Sequence, residues 1–447
     1  MHGRAPALPF FDLRVQYLPL YGFCEYGSTL LLGPVPFAMR LPAVVFGVVS
    51  VVALRSLVIE LCASIALADA TAAIFAILPW AVHLSRIAWE PAAVFPFLLG
   101  GLAALARGLR LRSGRSVVVG GVLLAVGAYT YRAEAFDGTI LAVALLLCRR
   151  DAAAAMRRPL LFALLAAVVC VAPLGLAVTT HPHFFWRDAA IATFGHREGA
   201  GALATFARNY AAHFDVRALF ATGDGLLDHG PRYGVLYWWM LPFVLLGIAL
   251  AWRLVPRKSA VLLYVWLALY PLGGALTNDG VPDFPRTLIG APLACIFTAL
   301  GLRAGWSALR PRNDVGERRR RLVVAAFLVT VVCSMLAFCR EYFLIYPEAS
   351  ADAFRFGTAS LFRTVRRFDA TYARVCFGSL DWYNYETLID YYLAASPLTP
   401  IEGVTEECRL RRSLIVVSDP SKTVANSRLL ATQQNREGQT TFYIYGR

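Results

Sequence analysis

Long apolar runs recur along most of the chain, and short polar connectors separate them. About ten of these runs approach the roughly 20 residues that an α-helix needs to cross a bilayer. They lie at roughly 38–58, 64–82, 91–106, 116–130, 135–148, 159–178, 234–252, 259–276, 287–304 and 322–341. The pattern predicts an all-α polytopic membrane protein with about ten transmembrane helices.

Every second connector between these runs is rich in arginine. The basic connectors lie at 107–115, 149–158, 253–258 and 303–321, whereas those near 83–90, 131–134 and 277–286 carry one Arg each. Basic loops stay in the cytoplasm. We therefore predict an extracytoplasmic juxtamembrane segment over 1–37, a transmembrane domain over 38–341 with an outer loop at 181–232, and an extracytoplasmic tail over 342–447.

The tail has a different pattern from the rest of the chain. Residues 350–368 are predicted to form an amphipathic helix, and a second helix is expected near 384–394. Short β-rich runs at 375–377, 414–417 and 442–445 indicate strands. These elements predict a small α/β domain. If it lies outside the cytoplasm, its Cys376 and Cys408 could form a disulfide.

Composition and charge narrow the function classes. With 58% apolar and 16% charged residues, the chain is too apolar for one soluble globule, and its 28 Phe, 19 Tyr and 9 Trp exclude disorder. The net charge of +14 does not indicate nucleic acid, because the arginines are spread over short connectors rather than gathered on one face. No nucleic-acid partner is predicted.

Polar residues that carry chemistry gather in the weakly basic connectors, on the predicted outer side. Charged groups at the ends of membrane spans are functional candidates by default. Arginine offers a planar fork to phosphate, and a carboxylate can deprotonate a hydroxyl or hold a divalent cation. This combination suits a lipid-linked phosphate. The candidates are His83, Arg86, Glu90, Arg132, Asp224 and Arg286.

Each candidate also has a purely structural interpretation. Arg86 and Glu90 could form a local ion pair, and Arg132 could be an exposed loop residue. The Asp228–His229 pair is more typical of a turn than of a metal site, because no second histidine follows at ligand spacing. The cysteines show no metal spacing either. We predict no metal site and no certain cofactor.

Six sequence blocks, in this order, resemble the GT-C superfamily of glycosyltransferases that use lipid-linked sugars. The resemblance is to the group of protein O-mannosyltransferases and lipid A aminoarabinose transferases, and it runs from about residue 8 to about residue 345. The blocks are LPLY at 18–21, LG at 32–33 with AMRLPA at 38–43, LPW at 78–80 with HLSR at 83–86, AYTYR at 128–132, GDG at 223–225 with HGP at 229–231, and DFPR at 283–286.

The resemblance implies a catalytic face outside the cytoplasm, a polyprenyl-phosphate sugar as donor, and inverting transfer assisted by an acidic residue. In the family that acid follows the first span, upstream of the PLY element, and here it has no counterpart. We therefore expect the first span to be missing and assign no catalytic residue. Arg86, Arg132 and Arg286 become candidate phosphate or sugar contacts, with His83, Glu90 and Asp224 as further site residues.

The leading hypothesis is a multi-pass glycosyltransferase of the cytoplasmic membrane. It would move a sugar to a lipid, polysaccharide or protein acceptor on the extracytoplasmic face, with membrane lipids as its surroundings. A lipid-sugar transporter is one alternative, although transporters usually have repeated halves and midplane sites. The other is a non-catalytic paralogue that binds lipid-linked sugar, which the absent acidic motif favours.

Overall fold

The computed structural model of the protein describes residues 18–33, 35–180, 192–194, 199–309, 314–351, 353–354, 357–378, 393, 396–434 and 438–447. The chain divides into two compact units, Met1–Glu341 and Tyr342–Arg447. The first unit is helical, and the second is built on a five-stranded sheet. The predicted fold class, a helical membrane protein with a small α/β tail, is confirmed.

Fifteen helices are described in the first unit, and we number them in chain order. They are α1 (Pro19–Leu32), α2 (Pro36–Cys62), α3 (Ile65–Ile77), α4 (Pro79–Leu84), α5 (Val94–Leu111), α6 (Gly114–Gly127), α7 (Arg132–Cys148), α8 (Arg150–Ala155), α9 (Arg157–Thr180), α10 (Gly199–Ala212), α11 (Met240–Leu254), α12 (Arg257–Leu269), α13 (Leu272–Ala275), α14 (Gly290–Ala308) and α15 (Asp314–Arg340).

The predicted apolar runs all coincide with helices. Among the described residues, five helical stretches are long and apolar enough to cross a membrane: Pro36–Cys62, Glu90–Leu111, Arg157–Ala177, Arg257–Ala275 and Asp314–Ala349. Four shorter apolar helices accompany them, at Ile65–Ile77, Gly114–Gly127, Ala135–Cys148 and Met240–Leu254. The apolar pattern therefore identified the helices correctly, while several of them are shorter than a full span.

Small residues let neighbouring helices approach closely. A Cβ on Gly247 of α11 would collide with the carbonyl oxygen of Phe297 in α14, and one on Gly301 of α14 would collide with that of Phe243 in α11. Helices that pack within a membrane commonly meet at such residues, because removal of the side chain brings the backbones together. The backbones of α11 and α14 therefore pack in direct contact.

The basic connectors meet at one end of the helices. The guanidinium of Arg149, just after α7, donates to the carbonyl oxygens of Glu60 in α2 and Ala106 in α5, at 2.7 and 3.0 Å. Arg110 of α5 makes a bidentate pair with the Glu60 carboxylate, at 2.6 and 2.8 Å. The C-terminal ends of α2, α5 and α7 therefore lie together, and cations suit the carbonyl ends of helices.

The predicted outer loop contains structure that the apolar pattern did not predict. Residues 199–212 form α10, and a π-helical turn follows at Ala218–Thr222. Aromatic residues spaced four apart form a row along α10 and just past its end. The Phe206 and Tyr210 rings lie 6.0 Å apart, and the Phe214 ring lies 5.8 Å from that of Tyr210. This i, i+4 row is a helical signal. Residues 181–191 and 195–198 lie outside the described residues.

The second unit has five strands, in the order β2-β1-β3-β5-β4. They are β1 (Arg374–Phe377), β2 (Thr399–Glu402), β3 (Ser413–Val417), β4 (Arg428–Gln434) and β5 (Thr440–Gly446). Strand β1 is parallel to β2 and β3, whereas β5 is antiparallel to β3 and β4. The three predicted runs coincide with β1, β3 and β5, while β2 and β4 were not predicted.

One helix packs on the sheet of this second unit. It spans Thr358–Arg366, shorter than the predicted 350–368, and inserts Leu361, Phe362 and Val365 into the buried core. On the other side of β1, Cys376 forms a disulfide with Cys408, the pairing considered from the sequence. The helix predicted near 384–394 lies, except for Leu393, outside the described residues.

Candidate functional site

A loop between the π-helical turn and α11 forms one side of the site. It is held to the end of α3 and to α4, because the Tyr237 hydroxyl donates to the Ile77 carbonyl at 2.8 Å and the Trp80 N–H donates to the Val235 carbonyl at 3.3 Å. Helix α3 starts next to the C-terminal end of α2, which lies near Arg149, and runs to α4 at the other end of the helices. The site therefore lies at the opposite end of the helices from the basic connectors.

The carboxylate of Asp224 holds this loop through three contacts. Its Oδ1 accepts from the Leu226 N–H at 3.1 Å, and its Oδ2 lies 2.8 Å from Nδ1 of His229 and 3.5 Å from the Phe284 nitrogen. Only 4% of the Asp224 side chain is exposed. The glycines on both sides of Asp224 have φ of 69° and 87°, which favours Gly there and turns the loop back on itself. The carboxylate is thus held before any substrate arrives.

His229 and His83 line a cavity beside Asp224. We call it the polar cavity after these three side chains, although most of its lining surface is apolar. The ring of Trp89 stacks on the His229 ring, with centroids 5.8 Å apart and an interplanar angle of 21°. The cavity has an accessible volume of about 20 Å³, which holds about one water molecule. It is lined by Pro79, Trp80, His83, Gly223, Asp224, His229, Gly230, Pro231, Tyr233, Gly234, Val235 and Phe284.

The two histidines have opposite electrostatic environments. Burial lowers the pKa of His83 to about 4, with a further lowering by His229. Burial also acts to lower the pKa of His229, but the hydrogen bond and charge of Asp224, with smaller contributions from Asp283 and Asp228, offset it and raise the pKa above its ordinary value. At neutral pH the cavity therefore holds one neutral histidine beside one that accepts a proton readily.

A second polar cluster surrounds Arg286. Its guanidinium contacts the Asp283 carboxylate at 3.0 Å, the Asp279 carboxylate at 3.4 Å, the Asp279 carbonyl at 2.8 Å and the Thr277 hydroxyl at 2.8 Å. The Arg286 N–H also donates to Asp283 at 3.0 Å. Burial raises the pKa of Asp283, and the Arg286 charge opposes that rise. Phe284 joins this cluster to the cavity, since its ring packs 5.3 Å from Trp80.

A buried histidine holds this second cluster in place. Nε2 of His213 accepts the N–H of Asp283 at 3.1 Å, and Nδ1 lies 2.7 Å from the carbonyl oxygen of Asn209. This pairing requires the neutral tautomer with its hydrogen on Nδ1. Burial accordingly lowers the pKa of His213. His213 is fully buried, so it acts on the loop rather than on a ligand.

An apolar groove adjoins the polar cavity. It lies between α11, α12 and α14, has an accessible volume of about 170 Å³, and shares Trp80 with the cavity. Its other lining residues are Phe214, Val216, Leu219, Phe220, Leu236, Leu241, Val244, Leu245, Ile248, Leu267, Tyr270, Gly290, Leu293, Ala294 and Phe297. The groove suits an apolar chain, and the polar cavity beside it suits a polar head group.

The overall arrangement is similar to that of solved structures. ArnT from Cupriavidus metallidurans, a GT-C aminoarabinose transferase, was solved bound to undecaprenyl phosphate; it matches with a TM-score of 0.58 at 12% sequence identity, over 96% of this chain and 88% of that chain. Its apo structure matches with a TM-score of 0.56 over the same shares, also at 12% identity. The chain shares the fold of these two structures. No protein-family model matches the sequence, and no curated protein matches it.

Within this fold, the predicted site residues lie at several different places. His83 and Asp224 line the polar cavity, and Arg286 lies in the adjoining cluster. Arg86 is exposed in the turn after α4, and Glu90 begins a 3₁₀ turn, Glu90–Ala93. Arg132 is the first residue of α7. Just before α7, the carbonyl oxygen of Tyr129 accepts a hydrogen bond from the Leu20 N–H at 3.2 Å.

Sequence reasoning missed several residues of the site. His229, weighed from the sequence as part of a turn or of a metal site and quoted in the HGP block but not chosen as a site residue, has Nδ1 2.8 Å from the Asp224 carboxylate. His213 follows Asn209 by four residues and comes directly after the end of α10, and its Nδ1 lies beside the Asn209 carbonyl oxygen, as the i, i+4 spacing of a helical turn places it. Asp137, a carboxylate inside the predicted span 135–148, is only 3% exposed, and its Oδ1 has no hydrogen-bond partner among the described residues. Its position in an apolar run was the available signal.

The described residues contain no group of three or more His, Cys, Asp or Glu side chains suited to hold a metal ion. The sequence predicts no metal site, and a divalent cation as cofactor stays the alternative that the sequence leaves open. The chemistry that the described residues offer is that of a carboxylate–imidazole pair, a buried arginine–carboxylate cluster, and the exposed Arg86.

Proposed function

We propose that the protein transfers a sugar from a polyprenyl-phosphate donor to an acceptor hydroxyl at the extracytoplasmic face of the membrane. The observation that carries the proposal is that the polar cavity and the apolar groove share Trp80 in their linings. A polyprenyl phosphate has the same two parts, an apolar chain and a charged head. The undecaprenyl phosphate bound to ArnT, a protein of the same fold, supports this choice of lipid.

The arginines divide into two roles in this proposal. Arg86 and Arg132 contact the phosphate. Arg86 lies on the turn after α4 and Arg132 begins α7, both at the end of the helices that carries the cavity, and guanidinium groups bind phosphate bidentately. The guanidinium of Arg286 is occupied by Asp279, Asp283 and Thr277. Its role is to position the loop beside the cavity, since three of its five N–H groups already donate to Thr277 and Asp279.

Two features support an extracytoplasmic location for the site. The basic connectors gather at the end of the helices opposite the cavity, and basic loops stay in the cytoplasm. The second unit carries the Cys376–Cys408 disulfide, and disulfides persist in oxidising compartments. His83, Glu90 and Asp224 complete the site around the sugar, and the acceptor is a lipid, polysaccharide or protein.

The groove provides the test of donor binding. Leu245 lines it and is 58% exposed, so a Leu245→Trp side chain can enter the groove without disturbing buried packing. Purified protein would be titrated with undecaprenyl phosphate in nanodiscs, and binding followed by native mass spectrometry. We expect Leu245→Trp to weaken binding at least about tenfold, which corresponds to about 1.4 kcal/mol.

The matched control is Leu328→Trp on α15, at a residue that is 56% exposed and is not among the groove-lining residues. It adds the same bulk to a lipid-facing helix and should leave binding unchanged. Equal affinities of Leu245→Trp and the wild-type protein would contradict the assignment of the groove. Absence of any undecaprenyl phosphate binding by the wild-type protein would contradict the proposed donor.

A further inference from the structure

The Asp224–His229 pair has the geometry of an oriented base. Asp224 Oδ2 lies 2.8 Å from Nδ1 of His229, and the carboxylate is itself held by backbone N–H groups of Leu226 and Phe284. An ionised carboxylate only accepts hydrogen bonds, so Nδ1 carries the hydrogen. In hydrolase triads the same contact sets the tautomer of the imidazole and stabilises its protonated form.

The other ring nitrogen of His229 is the one available to a substrate. None of the described residues forms a hydrogen bond with Nε2, and His229 lines the polar cavity with 15% of its side chain exposed. Because the hydrogen is on Nδ1, the neutral ring has its lone pair on Nε2. The Trp89 ring, stacked on one face, holds the imidazole plane.

The surroundings favour proton uptake at this ring. The titratable groups that act on His229 are Asp224, Asp283 and Asp228, all acidic, together with His83. His83 stays neutral near pH 7, since burial lowers its pKa to about 4, and it adds no opposing charge. Two histidines whose pKa values are moved apart in one cavity are a recognised sign of acid–base chemistry.

We propose that Nε2 of His229 is the general base of the transfer, with Asp224 as its positioning residue; this inference rests on the proposed function. The acceptor O–H gives its proton to Nε2 while its oxygen forms a bond to the anomeric carbon of the sugar. The bond between that carbon and the phosphate oxygen breaks, and its electron pair leaves with the polyprenyl phosphate. The imidazolium, paired with Asp224, then returns its proton to water.

The test uses the full-length protein in proteoliposomes made with native membrane extract as the source of acceptor. The probe is a panel of radiolabelled undecaprenyl-phosphate hexoses, and undecaprenyl phosphate binding is measured on the same samples. General bases contribute about 10²–10⁴-fold. We expect His229→Gln to lower kcat at least 100-fold with binding unchanged within about twofold, and imidazole to restore part of the activity of His229→Ala.

The pH profile separates a base from other roles of His229. A base must be neutral, so the wild-type kcat rises with pH through one ionisation, and Asp224→Asn lowers both kcat and the pH of that ionisation. The control Asp151→Asn, which removes a carboxylate that is 79% exposed and lies at the end of the helices with the basic connectors, leaves kcat within about twofold of the wild-type value. Thermal unfolding of each variant shows whether it is folded.

Three results would overturn the inference. A folded His229→Gln variant that keeps more than a third of the wild-type kcat would show that no general base acts at position 229. A wild-type kcat that falls with rising pH would mean that the imidazolium binds phosphate instead. A wild-type protein that neither binds undecaprenyl phosphate nor transfers sugar would remove the proposed function, and the base with it. The expected outcome is that the His229→Gln variant loses sugar transfer while its binding of undecaprenyl phosphate stays intact.

Discussion

Removing Arg286 should destabilise the fold far more than removing an exposed arginine. The side chains of Arg286 and Asp283 are 14% and 4% exposed, and Arg286→Met would leave the Asp283 carboxylate buried without its cation. Loss of one partner of a buried pair costs about 3–5 kcal/mol. The matched control is Arg55→Met, whose pair with Asp69 is 43% and 53% exposed and contributes about 0–1 kcal/mol.

The assay is thermal unfolding of the purified protein in detergent, followed by intrinsic fluorescence. At about 2 °C per kcal/mol, a conversion known for large domains, Arg286→Met should lower Tm by about 6 °C or more. The double variant Arg286→Met/Asp283→Asn should recover part of that loss, because the stranded charge is gone. Equal Tm values for Arg286→Met and Arg55→Met would refute the argument.

The pH dependence of Arg286→Met provides an independent check. Burial raises the pKa of Asp283, and without Arg286 nothing comparable opposes the rise. A carboxyl with a raised pKa in the folded state binds more protons than it does unfolded, so stability falls as pH rises through that interval. The difference in Tm between variant and wild type should therefore shrink as the pH is lowered from neutral towards the ordinary carboxyl pKa.

Three further predictions concern packing, the disulfide and the buried carboxylate. Gly301→Ala should lower Tm, because its Cβ meets a carbonyl oxygen of the facing helix, whereas Gly175→Ala, with open space around it, should not; equal Tm values would contradict the close packing. Cys408→Ser opens a loop of 32 residues to Cys376 and should destabilise the second unit by about 3–4 kcal/mol in chemical unfolding, unless the pair is reduced in the native protein. Asp137→Val should raise Tm, since a buried acceptor without a partner costs about 1–3 kcal/mol; a lower Tm would show that the carboxylate is satisfied.

The helices were predictable because each is encoded within its own stretch of sequence. An apolar run of spanning length needs no knowledge of its neighbours to be identified, and the arginine connectors follow the same local rule. The short apolar runs of β1, β3 and β5 were equally local. Strand β4 was not predicted, because its sequence, RLLATQQ, is mostly exposed and acquires its place only by pairing with β5.

The site was predictable only in part. His83 and Asp224 were identified from the blocks that carry them, and they do meet at one cavity. The contact of His213 with Asp283 joins residues 70 positions apart, so only the packed fold reveals it. The role of His229 depends on the glycine turns around Asp224, which aim its ring at the carboxylate. Residue identity suggested a turn, and the geometry shows an oriented imidazole.

The most direct test of the central claim is sugar transfer by the purified protein. Proteoliposomes that contain the wild-type protein would be supplied with radiolabelled undecaprenyl-phosphate hexoses and native membrane extract, beside Leu245→Trp and Leu328→Trp. We predict that label moves from the donor lipid to the acceptor fraction with the wild-type and Leu328→Trp proteins, and at least tenfold more slowly with Leu245→Trp. Label that stays on the donor lipid with every protein, or that moves equally fast with both variants, would contradict the account.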